Sequence, residues 1–213
     1  MLPASPLDRI VPPIARADQI QPFSDEQVDA LLEAARRSQN PRRNTALLLF
    51  LLDTGARATE VCSIRYDDLD LPSRTCLVLG KGNKRRPVFF GIKTAKAIAK
   101  YRLGLAVEPD APLFRSDNRG DAGKALTRSG LLQLVERLGK DAGIKGVRCS
   151  PHTFRHTMAC TFIRAGGSSF ALQHLLGHTN SQQTARYVAL ASADCQEQHR
   201  RFCPSDRLHR VSR

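Results

Sequence analysis

A change of period between residues 70 and 90 constrains this chain more than any other local feature. On either side of it, apolar residues recur at helical spacing. Within it, Leu71, Thr75–Leu79 and Pro87–Phe90 are short β-prone runs, parted by Pro72-Ser73-Arg74 and by Gly80-Lys81-Gly82-Asn83. Short runs with tight turns between them predict a small antiparallel sheet, with Lys81 in the turn joining its last two strands. Around it, Ser24-Asp25-Glu26-Gln27 is a capping box ahead of Val28, Leu31, Leu32 and Ala35. Asn40-Pro41 opens a second helix, leucine-rich from Leu47 to Leu52 and closed by Gly55. Ala58 to Ile64 reads as a short third helix with Arg57 at its start. Further helices are expected at about 93–104 and at 128–142, the latter capped by Thr127 and ended by Gly143. Ser150-Pro151 opens another that ends at Gly166-Gly167, Ser169 to Leu176 is closed by Gly177, and a last helix or pair runs from Ser181 towards Phe202. The expected fold class is mainly α with a small antiparallel β-sheet, an α+β arrangement.

The first 22 residues hold five of the twelve prolines and little apolar periodicity, so 1–22 reads as a linker or arm. Residues 23–192 read as the folded domain and 193–213 as a C-terminal tail. With 41% hydrophobic and 25% charged residues, a chain of 213 can bury a core. The longest purely apolar run, Ala46 to Leu52, is far short of a membrane span, and the start lacks a secretory pattern. Six cysteines without a CxxC pair read as reduced thiols. A cytoplasmic protein is expected.

The net charge of +13 points to a polyanionic partner, nucleic acid first. Its distribution locates the site. Leu71 to Val107 contains nine Lys or Arg and no acid; Ala142 to Ala193, 52 residues, contains no acid and four of the six histidines. Carboxylates near phosphate oxygens would repel them.

Four elements carry the chemistry: Thr54-Gly55-Ala56-Arg57-Ala58-Thr59-Glu60, Gly80-Lys81-Gly82-Asn83-Lys84, His152-Thr153-Phe154-Arg155-His156, and Leu175-Leu176-Gly177-His178 with Tyr187 nine residues on. Together they offer guanidinium groups, an ammonium, imidazoles and a phenol, a set suited to a phosphodiester whose charge grows in the transition state. His152 and Arg155 fall i, i+3 at a helix start and share a face. Tyr187 is a candidate nucleophile, Lys81 a candidate proton donor to the leaving alkoxide, provided neighbouring cations lower its pKa. Each has an ordinary rival reading: a surface charge for Arg57, a plain hairpin turn for Lys81, a core or interface residue for Tyr187. His152/His156 and His174/His178 also form HxxxH pairs that could chelate zinc, but no Glu base lies between 142 and 193.

In this order, the elements resemble the catalytic domain of a tyrosine recombinase of the phage-integrase and Xer type. The matches are T-G-x-R-x-x-E, a hairpin lysine in G-K-G-x-K, H-x-x-R-H, L-G-H and a tyrosine nine residues after that histidine, over about residues 20–190. They fill six positions: Arg57, Lys81, His152, Arg155, His178 and Tyr187. The resemblance implies site-specific cleavage and rejoining of double-stranded DNA through a 3′-phosphotyrosyl intermediate, without metal or nucleotide cofactor. It implies Tyr187 as nucleophile, Arg57, Arg155 and His178 on the non-bridging oxygens, Lys81 as proton donor to the 5′-oxygen, and His152 in proton exchange with Tyr187. Glu60 is expected to fix Arg57 or its backbone. Lys84, Arg85 and Arg86 are candidate DNA contacts. Self-association as a tetramer on DNA, a partner recombinase or accessory protein, and no membrane complete the expectation, with the segment from about Ala193 packing on a neighbouring protomer. Two departures stand out: relatives carry a helical core-binding domain before this one, so a catalytic fragment or short form is expected, and Gln183 stands where Thr is common. A type IB topoisomerase or telomere resolvase would share the chemistry, although such relaxing enzymes often have Lys where His152 stands. An accessory DNA-binding protein with a relic site is the remaining alternative.

Overall fold

Helix starts and stops follow local chemistry. In α1 (Asp25–Arg37), the Ser24 hydroxyl accepts from the Gln27 N–H and the Gln27 side chain accepts from the Ser24 N–H. α2 (Pro41–Thr54) has proline in its first turn and stops at Gly55, whose φ of +57° disfavours any β-carbon. α3 (Ala58–Ser63) follows at once, with Arg57 as its N-cap. A 3-10 turn at Tyr66–Asp68 leads into β1 (Leu69–Asp70), β2 (Thr75–Leu79) and β3 (Arg85–Phe89). Then come α4 (Ile92–Arg102), α5 (Arg128–Asp141), α6 (Pro151–Arg164) and α7 (Ser169–Leu176). Thr127 caps α5 and Ser150 caps α6, each hydroxyl accepting a backbone N–H three residues on.

These elements belong to a computed structural model that describes residues 21–80, 85–103, 105, 108–117, 120 and 122–177. Lys81, Lys84, His178, Tyr187, the arm up to Ile20 and everything expected beyond Ser181 lie outside the described residues.

The fold is mainly α with one three-stranded antiparallel sheet of order β1-β2-β3. Cys76, Val78 and Val88 face the core, while Leu77, Leu79 and Phe89 face out, the alternation of a half-buried sheet. Two boundaries differ from the sequence expectation. The first strand is Leu69–Asp70, and Leu71 belongs to the turn, because the Asp70 carboxylate accepts the Ser73 N–H and closes the chain on itself. The third strand begins at Arg85 and runs through Pro87, which an edge strand tolerates because one of its sides needs no N–H.

α2 lies at the centre, packed against α1, α4 and α6. Leu47, Phe50 and Leu51 are fully buried, and the Phe50 ring sits 5.9 Å from Phe114 and 6.0 Å from Phe90. Each such side chain contributes about 1.5–3 kcal/mol. The segment before α1 is tied down by Phe23, whose ring meets Phe154 edge-on at 5.0 Å and whose N–H donates to Thr157 Oγ1 at 2.9 Å. A smaller cluster of Met158, Cys160 and Ile163 with Leu172 and Leu176 fastens α7 to α6. At 8 residues, α7 is too short to stand alone and depends on that packing and on its Gly177 C-cap. No described helix is long and apolar enough to cross a membrane.

Candidate active site

The C-terminus of α7 is where three arginines meet. The last carbonyls of a helix lack intrahelical donors and form the negative end of its dipole. Here Leu175 O accepts from Arg86 Nη1, Leu176 O from Arg155 Nη2 at 2.8 Å, and Gly177 O from Arg57 Nη2 at 3.4 Å. These guanidinium groups come from β3, from α6 and from the N-cap of α3. Arg155 Nη1 also donates to Gly55 O at 2.8 Å, so one planar fork joins the turn after α2 to the end of α7. Gly55 makes that approach possible: a β-carbon there would lie 2.9 Å from Leu176 Cδ2 and 3.6 Å from Arg155 Cγ.

Behind the arginines lies one carboxylate. Glu60 is 1% exposed. Its Oε1 accepts from Arg57 Nη1 at 3.1 Å, and its Oε2 accepts from the Arg57 backbone N–H at 2.7 Å and from Arg86 Nη2 at 2.9 Å. Glu60 thus fixes both the backbone and the side chain of Arg57, as the sequence suggested, and holds Arg86 as well.

In front of them opens a cleft of about 840 Å³ whose walls include Arg57, Arg128, Arg148, His152 and Arg155. Among its described lining residues there is no Asp or Glu. His152, in the first turn of α6, reaches the surface while the cleft wall screens much of its ring. Desolvation pushes its pKa below the ordinary imidazole value, and the charges of Arg155, Arg148 and Arg57 push it the same way. Both causes favour the neutral ring, in which one nitrogen can accept a proton. His156, one turn on, is lowered by burial and then by His152.

The structure brings Arg57, His152 and Arg155 together from three elements. Arg85 is exposed on β3 and pairs with Asp68 at 3.3 Å. Arg86 points the other way, inward, with 16% of its side chain exposed. Lys81, Lys84, His178 and Tyr187 lie outside the described residues; in the chain, His178 directly follows Gly177. Sequence reading overlooked Arg128 and Arg148 as cleft residues. A signal existed, since cations beside the helix starts at Thr127 and Ser150 oppose the helix dipole and have no local structural reason. A cleft without acids among its described lining residues, with preset guanidinium donors and an imidazole biased to its neutral form, can bind a phosphoryl group and take up a proton beside it.

Comparison with known proteins agrees with that chemistry. Residues 22–194 match the phage integrase family. Tyrosine recombinase XerC of Roseiflexus sp. (strain RS-1) is 32% identical over 201 residues, 90% of this chain and 62% of that protein. The crystal structure of XerA recombinase superposes with a TM-score of 0.72 at 28% identity, covering 91% of this chain and 67% of that one. The XerH site-specific recombinase bound to palindromic difH substrate gives a TM-score of 0.67 at 24% identity over 88% of this chain and 54% of that one, a likeness of fold. This chain spans about 45–62% of the length of the curated relatives it matches. With the family match running through all four sequence elements and the fold shared with recombinase catalytic domains, the chain belongs to the phage integrase family of tyrosine recombinases.

Proposed function

We propose that this chain is the catalytic domain of a site-specific DNA recombinase. The observation that carries the reading is the acid-free cleft in which Arg57 and Arg155 are preset on the last carbonyls of α7, one residue before His178 and ten before Tyr187. In the reaction, the Tyr187 oxygen attacks the scissile phosphorus, a 3′-phosphotyrosyl bond forms and the bond to the 5′-oxygen breaks. Arg57, Arg155 and His178 stabilise the non-bridging oxygens as charge builds on them. A guanidinium presents five N–H donors in a planar fork that suits the oxygens of a phosphate. His152, whose neutral form the site favours, takes the phenol proton, and Lys81 protonates the departing 5′-oxygen. The ester-bond energy is kept in the phosphotyrosine, so rejoining runs the same steps backwards on a new 5′-hydroxyl.

Double-stranded DNA is the substrate, with Lys84 and Arg85 as backbone contacts beside the hairpin and Arg128 and Arg148 along the cleft. Self-association on DNA as a tetramer, with a partner recombinase or accessory protein, belongs to this reading; the segment from Ala193 onward is its candidate trans contact. The relatives are recombinases, which favours this over a type IB topoisomerase or telomere resolvase. The test is trapping of protein on a supercoiled plasmid with detergent. Wild type should form 3′-linked adducts and Tyr187→Phe none, with equal retention of plasmid by both. Adducts of equal yield from Tyr187→Phe would remove the tyrosine mechanism.

A further inference from the structure

The sequence groups Arg86 with Lys84 and Arg85 as a DNA contact, but strand alternation separates them. Arg86 shares the inward face of β3 with buried Val88, two residues on, while Arg85 and Pro87 face out. On that face its guanidinium spans two elements, donating from Nη2 to Glu60 Oε2 at 2.9 Å and from Nη1 to Leu175 O. Its stem lies against Gly177, where a β-carbon would come 2.8 Å from Arg86 Nε and 2.9 Å from Arg86 Cδ. Arg86 Nε is itself buried with no hydrogen-bond partner among the described residues. Burying a charged group with an unmet donor opposes folding. An apolar side chain would fill the same space at less cost, so packing does not account for an arginine here.

We propose that Arg86 is a positioning residue for strand cleavage: clamped by Glu60, it holds the Leu175–Gly177 end of α7 against β3 and so fixes where the chain leads into His178. This rests on the reading of His178 and Arg57 as phosphate ligands. The Glu60 carboxylate is common to Arg86 and Arg57, so the two guanidinium groups are set as a unit. Arg86 also sits on the strand that leaves the Lys81 hairpin. One side chain thereby ties three pieces of the catalytic set to a single buried anion. Lysine cannot replace it, because one ammonium lacks the planar fork that reaches both acceptors.

The experiment compares wild type, Arg86→Lys and Arg86→Ala in three measurements. These are adduct formation on supercoiled plasmid at saturating protein, affinity for a short random-sequence duplex across a salt series, and amide hydrogen exchange around Gly177 without DNA. Adduct formation should slow by about tenfold or more in Arg86→Lys, with duplex affinity within about twofold and the salt slope unchanged. Exchange around Gly177 should quicken by about tenfold while the slowest core amides stay as in wild type. Millimolar guanidinium ion should restore part of the adduct rate of Arg86→Ala, which lost stem packing alone would not allow. If Arg86→Ala fails to fold, Arg86→Lys decides. Wild-type adduct rates with weaker binding and a salt slope lower by about one would overturn the proposal and make Arg86 a phosphate contact. Unchanged exchange with unchanged adduct rate would overturn it as well. If wild type forms no adduct, the recombinase reading falls, and the exchange measurement still decides whether Arg86 positions the end of α7.

Discussion

Arg43 and Arg155 are buried to the same degree, each 4% exposed, yet they sit in opposite electrostatic settings. Arg43, on α2, is closed off by an anion. Its Nη1 lies 3.0 Å from Asp117 Oδ1, its Nη2 donates to Asp117 Oδ2 at 3.1 Å, and its remaining contacts are Arg115 O and Asn44 Oδ1. The pairing shows on the partner: the hydrogen bond from Arg43 holds the Asp117 carboxyl below its ordinary pKa against the opposing pull of burial. Arg155, on α6, donates to the backbone carbonyls of Gly55 and Leu176. It lines a cleft whose described walls also carry Arg57, Arg128 and Arg148, and the pKa of His152 there is lowered by desolvation first and then by Arg155, Arg148 and Arg57. The lesson is that the chemistry of the neighbours, more than burial, distinguishes two equally buried arginines, one paired with a carboxylate and one set on backbone carbonyls at a basic cleft.

The largest expected effect comes from removing the fork while keeping the charge at both places. Arg155→Lys should cut the rate of adduct formation at saturating protein by about 10²–10⁴-fold, since it removes directed donors from the growing charge. Arg43→Lys should leave that rate within about threefold, because Arg43 sits in the first turn of α2, about 18 Å along the helix from the Gly55 turn that meets Arg155. Similar rates in the two variants would erase the distinction.

A smaller effect, opposite in kind, should follow from removing the charge at the structural site. Arg43→Met leaves Asp117 without its cation, and urea unfolding should show a loss of about 2–4 kcal/mol. The low end is favoured because Asp117 keeps 31% of its side chain in solvent. The pair also has a pH signature. The folded pKa of Asp117 is depressed, so the pair's contribution is complete above the ordinary carboxylate value and is lost as pH falls through the lower folded value. Arg43→Met should therefore flatten the acid limb of the stability curve, with Asp117→Asn in that background recovering part of the loss.

Much of this was legible in local sequence, because helix ends are decided by neighbours. Ser24, Thr127 and Ser150 cap their helices, and Gly55 and Gly177 end theirs in left-handed turns, as the sequence implies. The candidate site was legible as motifs at Arg57, His152 and Arg155, whose order along the chain carries the family resemblance. What escaped were facts of facing and long-range partnership. Leu71 fell into a turn because Asp70 captured a backbone N–H. Arg86 was grouped with its basic neighbours by composition, although Val88 two residues on already marked its face as inward. The capping of α7 by arginines from three distant segments has no local signature, and the convergence of Arg128 and Arg148 on the cleft left only the faint one of cations set against a helix dipole.

The finest test of the comparison reads the field itself, through the imidazole of His152. Desolvation is the first cause of its lowered pKa, followed by Arg155, Arg148 and Arg57, so removing one cation should relax part of the depression. Observed by proton NMR of the ring, the pKa of His152 should rise in Arg155→Met and rise less in Arg148→Gln, whose charge is the weaker influence. Arg43→Met should leave it unmoved, since that charge is already answered by Asp117. The sign carries over to stability. A folded pKa below the ordinary imidazole value of about 6.5 means that the unfolded chain binds more protons near pH 6. This contribution is complete above the unfolded value and is lost as pH falls through the folded one. His156, shifted the same way, adds to the trend. His152→Gln should then narrow the difference in Tm between neutral and mildly acidic buffer. A His152 pKa that ignores Arg155→Met would show that the cleft's charges are screened from one another, and the contrast with Arg43 would reduce to a difference in hydrogen-bond partners.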